Sequence, residues 1–219
     1  MISITRRTRR RTARRYRYSL SASRRAGLKS SATPKRRCRM TEQREPDRTP
    51  QAVAFLDRDG VLNVDTGYVH RPGDLEWIDG APEAVGLLNQ AGYRVIVITN
   101  QSGIARGFYD EEAVRLFHAH MQDRLAEHGA YIDAFYYCPH HPEGRVPQFA
   151  VACDCRKPKT GLLKQAERDF PVDKGRSFLV GDKDHDLEAA HAFGVRGFKF
   201  DPDRTPLDEL IRSIVQNPV

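Results

Sequence analysis

Two carboxylates one residue apart, Asp57 and Asp59, close the apolar run 53–56 and are followed at once by Gly60. At the carboxyl end of a strand in an open α/β sheet, such groups stand where these folds bind ligands. One carboxylate can attack a phosphoryl group while its neighbour handles a proton, provided a cation offsets their repulsion. For residues 54–63 alone, a polar strand end with a turn is the alternative, and the functional reading is favoured. Three further segments point the same way. Thr99-Asn100-Gln101-Ser102-Gly103 follows a β-branched run, and its hydroxyl and backbone amides suit phosphate oxygens, although a turn with a helix cap would read alike. Arg156-Lys157-Pro158 offers a bidentate fork and a point charge, or simply a solvated basic patch. In Gly181-Asp182-Lys183-Asp184-His185-Asp186, Asp182 can complete a magnesium site with Asp57, and the acidic run also suits a helix start.

A second chemistry lies in Cys138-Pro139-His140 and Cys153-Asp154-Cys155. C-x-H followed by C-x-C makes a Cys₃His set for a tetrahedral zinc, and a closed set of four implies a structural ion. A disulfide framework is disfavoured: of four cysteines, Cys38 stands apart in the tail, and no secretory signal is evident. Cys155 directly precedes Arg156 and Lys157, so the metal loop is expected to position them. His118 and His120 do not share a helix face and read as surface or packing residues. His141 is a weaker candidate, His185 is expected to line the site, and Trp77 reads as packing.

These residues need elements to hold them. Apolar runs at 53–56, 95–99, 134–137, 178–180 and 197–200 read as strands, and 81–90, 110–128, 161–169, 187–193 and 206–215 as helices. Alternation of the two predicts an α/β fold: a Rossmann-like parallel sheet flanked by helices, with right-handed crossovers. No insertion is long enough for a large cap domain, so only loops, one of them zinc-stapled, would cover the site.

Charge divides the chain. Residues 1–40 carry fifteen basic and no acidic side chains, whereas the remainder has 21 basic against 29 acidic, about −8. Residues 1–50 are therefore expected to form a disordered basic tail, and 51–219 the folded domain. The tail has three readings: a nucleic-acid or anionic-surface arm, a transit peptide, or translated upstream sequence with Met40 as the true start. The third is favoured, since composition changes abruptly at Met40. An acidic body argues against nucleic acid as a partner of the folded domain. No apolar run is long enough to span a membrane.

Taken together, the four segments, in order between Val53 and Phe200, resemble the motifs of the haloacid dehalogenase-like phosphatases. The resemblance implies that Asp57 is the nucleophile of an aspartyl-phosphate intermediate and that Asp59 is the acid and base. Thr99 and Lys157 would neutralise phosphoryl oxygens, and Mg2+ would be held by Asp57, the Asp59 carbonyl and Asp182. Zinc on Cys138, His140, Cys153 and Cys155 is similar to the branch of heptose bisphosphate and histidinol phosphatases. The segments 65–70, 100–107 and 138–144 resemble the former more. That resemblance implies substrate contacts from Asp65, Thr66, Gly67, Tyr68, Asn100, Gln101, Ser102, Arg156 and Lys183. It further implies removal of the C7 phosphate of a heptose bisphosphate during nucleotide-heptose synthesis, in a bacterial cytoplasm; no long heptad or exposed apolar stripe argues for more than a monomer. Histidinol phosphate is the alternative substrate. A polynucleotide 3′-phosphatase and a zinc-stabilised binding module without catalysis fit less well, the latter because all the catalytic positions are intact.

Overall fold

The computed structural model describes residues 14–16 and 49–217. Strands β1 (Arg14–Tyr16), β2 (Val53–Leu56), β3 (Arg94–Asn100), β4 (Ala134–Cys138), β5 (Phe178–Gly181) and β6 (Arg196–Lys199) form one sheet in the order β1-β4-β3-β2-β5-β6. From β4 to β6 every pairing is parallel, and β1 joins antiparallel at the β4 edge. Helices α1 (Ala81–Gln90), α2 (Gly103–Arg106), α3 (Glu111–Ala126), α4 (Gly161–Asp169), α5 (Asp184–Phe193) and α6 (Leu207–Gln216) complete the fold.

Alternation along the buried strands builds two cores. Ala54, Leu56, Val95, Val97, Phe135, Phe178 and Val180 face α1, α3 and α6, while Val53, Phe55, Ile96, Ile98, Tyr136 and Leu179 face α4 and α5. Continuous Val/Ile/Leu runs are what a parallel sheet covered on both faces requires. From central β2 the chain crosses to β3 and β4 on one side, then to β5 and β6 on the other. The reversal opens a crevice at the carboxyl ends of β2, β3 and β5, the position where such sheets hold ligands.

Most limits agree with the sequence reading within one or two residues, and two departures are larger. Helix α5 begins at Asp184, three residues before the expected start at residue 187, because the Asp186 carboxylate accepts the Lys183 N–H and two acids favour the positive end of the helix. The short helix α2 was not expected at all: four residues are too few to show a period. The tail, read as disordered over 1–50, contributes β1, whose backbone pairs with β4 from Arg14↔Tyr137 to Tyr16↔Phe135. Met40 and Cys38 lie outside the described residues.

Candidate active site

Asp57 is delivered by β2, and its N–H donates to the Val180 carbonyl across the β2–β5 seam. Its Oδ1 accepts from Arg58 N at 2.7 Å and lies 2.9 Å from Lys157 Nζ. Burial raises the Asp57 pKa to about 7, against the opposing pull of Lys157. Lys157 is itself buried, yet its pKa is raised, because Asp57 and Asp186 outweigh the burial that would lower it. The Asp186 carboxylate stands 2.6 Å from Nζ, and the Ile98 carbonyl accepts from Nζ at 2.8 Å. Asp57, Lys157 and Asp186 thus form a buried triad in which two carboxyl groups share one ammonium.

Asp59 is held separately. Arg58, fully buried, forks onto both Asp59 oxygens at 3.0 Å, and Asn63 Nδ2 and Gln101 Nε2 donate to the same carboxylate at 3.0 and 2.9 Å. Four donor atoms fix its direction. The Arg58 guanidinium is completed by the Val69 carbonyl, Gln101 Oε1 and His118 Nε2, and packs on the Phe117 ring. His118 is fully buried against Phe135, and burial beside Arg58 lowers its pKa well below the ordinary histidine value. It is a packing residue, and it is also the acceptor that ends the arginine network.

Of the other expected site residues, Thr99 is buried and its Oγ1 accepts from Gln101 Nε2 at 2.9 Å. Gln101, also buried, is engaged with Asp59, Thr99, Arg58 and Tyr109. Asn100 grips the Lys157 peptide from both sides, Oδ1 accepting its N–H and Nδ2 donating to its carbonyl, so it orients the lysine. Ser102 leads into α2. Asp65, Thr66, Gly67 and Tyr68 form an exposed loop in which Asp65 Oδ1 accepts from Gly67 N. Arg156 has a buried Nη1 without a hydrogen-bond partner, and Lys183 lies 2.6 Å from Asp182 Oδ2. Sequence reasoning missed Asp186, Arg58 and His118. Three of the five residues from Asp182 to Asp186 are aspartates, and only the helix start decides which carboxylate turns inward.

The donors fit a hard divalent cation. Asp182 Oδ1 is buried with no hydrogen-bond partner, beside a Gly60 whose hypothetical Cβ would collide with that carboxylate. An unsatisfied buried carboxylate oxygen beside the turn that follows Asp57 suits magnesium coordination. Asp57, His185 and Asp186 also gather within 4.8 Å, but the Lys157 ammonium already bridges the two acids there. Cys138, His140, Cys153 and Cys155 form the second cluster. The sulfurs stand 3.3–3.6 Å apart and His140 Nδ1 is 3.3 Å from Cys155 Sγ. A tetrahedron with bonds of about 2.3 Å has edges of about 3.8 Å, so these spacings suit one ion at the centre. The neighbouring Cys153 sulfur is the main influence that pushes Cys138 up to about 12, while hydrogen bonds from Cys138 and Cys155 draw Cys153 down. So close together, the three thiols ionise jointly only when a cation sits between them.

Comparison with known proteins agrees with this geometry. Residues 154–211 match the HAD-hydrolase-like family model. The chain is 45% identical over 171 residues to the D-glycero-beta-D-manno-heptose-1,7-bisphosphate 7-phosphatase of Rhodopseudomonas palustris, covering 75% of this chain and 95% of that one. It is 48% identical over 138 residues to the protein of the same name from Photorhabdus laumondii, covering 63% and 73%. Among solved structures it superposes, with a TM-score of 0.63 and 32% identity, on the D,D-heptose 1,7-bisphosphate phosphatase of B. bronchiseptica complexed with magnesium and phosphate, covering 77% and 88%.

Proposed function

This chain belongs to the haloacid dehalogenase-like phosphatases, and on that premise we propose that it hydrolyses the 7-phosphate of D-glycero-β-D-manno-heptose 1,7-bisphosphate. The observation that carries the reading is the division of labour between the two carboxylates. Asp57 is buried against Lys157, whereas Asp59, two residues on, is held apart by Arg58, Asn63 and Gln101. The sugar and its anomer follow from the names of the curated relatives.

In the reaction, Asp57 attacks phosphorus through its oxygen not bonded to Lys157, and the C7 oxygen leaves with a proton from Asp59. Asp59 then takes a proton from water as that water attacks the aspartyl-phosphate, releasing inorganic phosphate and restoring Asp57. Lys157 and Thr99 face the phosphoryl oxygens and offset their charge. Asp57, Asp182 and the Asp59 carbonyl oxygen would hold Mg2+, which supplies charge neutralisation that lets a carboxylate approach a phosphate. Asp186 holds Lys157 in place, and Asn100 fixes the lysine's backbone. Arg156, with its unpartnered buried Nη1, supports binding of the remote C1 phosphate, as does Lys183 at the rim.

We assign zinc to the Cys₃His cluster as a structural ion. It joins the end of β4 to residues 153–155 and so holds Arg156 and Lys157 against the site. The phosphorylated heptose implies a bacterial cytoplasmic setting. No helix among the described residues is long and apolar enough to cross a membrane. The test is phosphate release by the full chain with Mg2+, comparing the β and α anomers of the heptose bisphosphate with histidinol phosphate at matched concentration. The β anomer should be preferred. A preference for histidinol phosphate would move the enzyme to the alternative branch.

A further inference from the structure

Two aromatic rings stand in solvent beside the site. Tyr68 is 43% and Phe108 52% exposed, and they meet edge to face with centroids 4.7 Å apart. They come from different segments, residues 65–70 and the turn after α2, and both segments are tied to the Asp59 network. The Val69 carbonyl, next to Tyr68, accepts from Arg58. The Tyr109 hydroxyl, next to Phe108, donates to Gln101, which donates to Asp59. His70 stacks on Tyr109 at 4.5 Å, a second aromatic bridge between the same segments.

The backbone is strained to achieve this. Tyr68 has φ +58° and is the sole non-glycine with positive φ among the described residues, and Gly67 before it has φ +87°. A left-handed conformation is unfavourable for a bulky side chain and persists where the surroundings enforce it, often at ligand sites. Burial does not explain it, since both rings remain half in water. Exposed aromatic pairs at the mouth of a polar site are a surface for an apolar ligand face.

We propose that the Tyr68–Phe108 pair is a platform for the C–H face of the sugar ring, and that Phe108 determines specificity for sugar phosphates over small phosphates. This rests on the sugar bisphosphatase reading. Sugar C–H groups carry slight positive charge and meet the negative π-face of an aromatic ring, while the hydroxyls stay free for polar partners. Contact so far from phosphorus contributes remote binding energy, which raises kcat/KM for the large substrate and does nothing for a small one.

The experiment measures the ratio of kcat/KM for the heptose bisphosphate to that for acetyl phosphate, which has no ring to stack. Wild type, Phe108→Ala, Phe108→Trp and Leu116→Ala are compared, Leu116 being an equally exposed side chain on α3. Phe108→Ala should lower the ratio roughly three- to tenfold, chiefly through KM. Phe108→Trp should restore it, and Leu116→Ala should leave it alone. An unchanged ratio in Phe108→Ala, or an equal fall in Leu116→Ala, overturns the platform. If wild type ignores the heptose bisphosphate, the substrate reading fails, and the same ratio is taken with whichever of glucose 6-phosphate or fructose 1,6-bisphosphate it uses better. Hydrolysis of acetyl phosphate but of no sugar phosphate would overturn the platform too.

Discussion

Asp57 and Lys157 lie within 3 Å of each other in a buried setting, with Asp186 on the lysine's other side, so changing any one of them leaves the others poorly compensated. Asp57→Asn should keep the fold and lower turnover by roughly three orders of magnitude or more, as expected for loss of a nucleophile. Steady-state phosphate release together with circular dichroism checks both halves. His118 makes a different kind of prediction. The groups facing it are Arg58, Phe135 and Tyr137, and none stabilises an imidazolium. Its pKa is lowered in the fold, so below about pH 6.5 the unfolded chain binds a proton that the folded chain refuses. Stability therefore rises with pH up to that value, with a slope from this group of up to about 1.4 kcal/mol per pH unit. His118→Gln keeps an acceptor for Arg58 and removes the titration. Its denaturant midpoint should fall less than that of wild type between pH 7.5 and 5.5, and a parallel fall would show that His118 is protonated in the fold.

At the scale of elements, the turn after β2 and the start of α5 face each other at close range. Gly60 has φ +81°, and a Cβ there would collide with the Asp182 carboxylate. Gly60→Ala is thus expected to be strained in backbone and to displace a magnesium ligand. Turnover should drop and the apparent Mg2+ requirement should rise, and titration of activity against Mg2+ would reveal an unaltered requirement if Asp182 does not bind the ion. The Cys138, His140, Cys153 and Cys155 cluster couples β4 to the segment before α4. Cys153→Ser removes one of the four proposed zinc ligands and should yield protein with less than one zinc per chain. Its Tm should be lower by about 5 °C or more, as loss of a couple of kcal/mol produces in a domain of this size. Elemental analysis of the purified variant showing full zinc content would refute the Cys₃His assignment.

Across the whole molecule, every residue assigned to the chemistry lies between Asp57 and Asp186, at the ends of strands that pair in parallel or in the loops and helix start that follow them, while β1 only extends the sheet at its far edge. A chain lacking residues 1–39 should therefore keep its turnover on the heptose bisphosphate. Lost turnover in that shortened chain, with its folding intact, would tie the basic segment to the site. The sequence alone determined the parallel α/β class, most strand and helix limits, the grouping of Cys138, His140, Cys153 and Cys155, and the placement of Asp57 and Asp59 just after a strand end. These are local facts: apolar period sets an element, and short spacing at a strand end sets which donors share one place. Asp186 against Lys157, Arg58 locked between Asp59 and a neutral His118, and the Tyr68–Phe108 pair were decided only by the tertiary structure. Each joins residues that are 29 to 60 positions apart, or turns on which way a side chain faces when the sheet and helices close. Burial, which makes an ion pair strong and an imidazole neutral, exists only after the layers have packed, so no run of letters carries it.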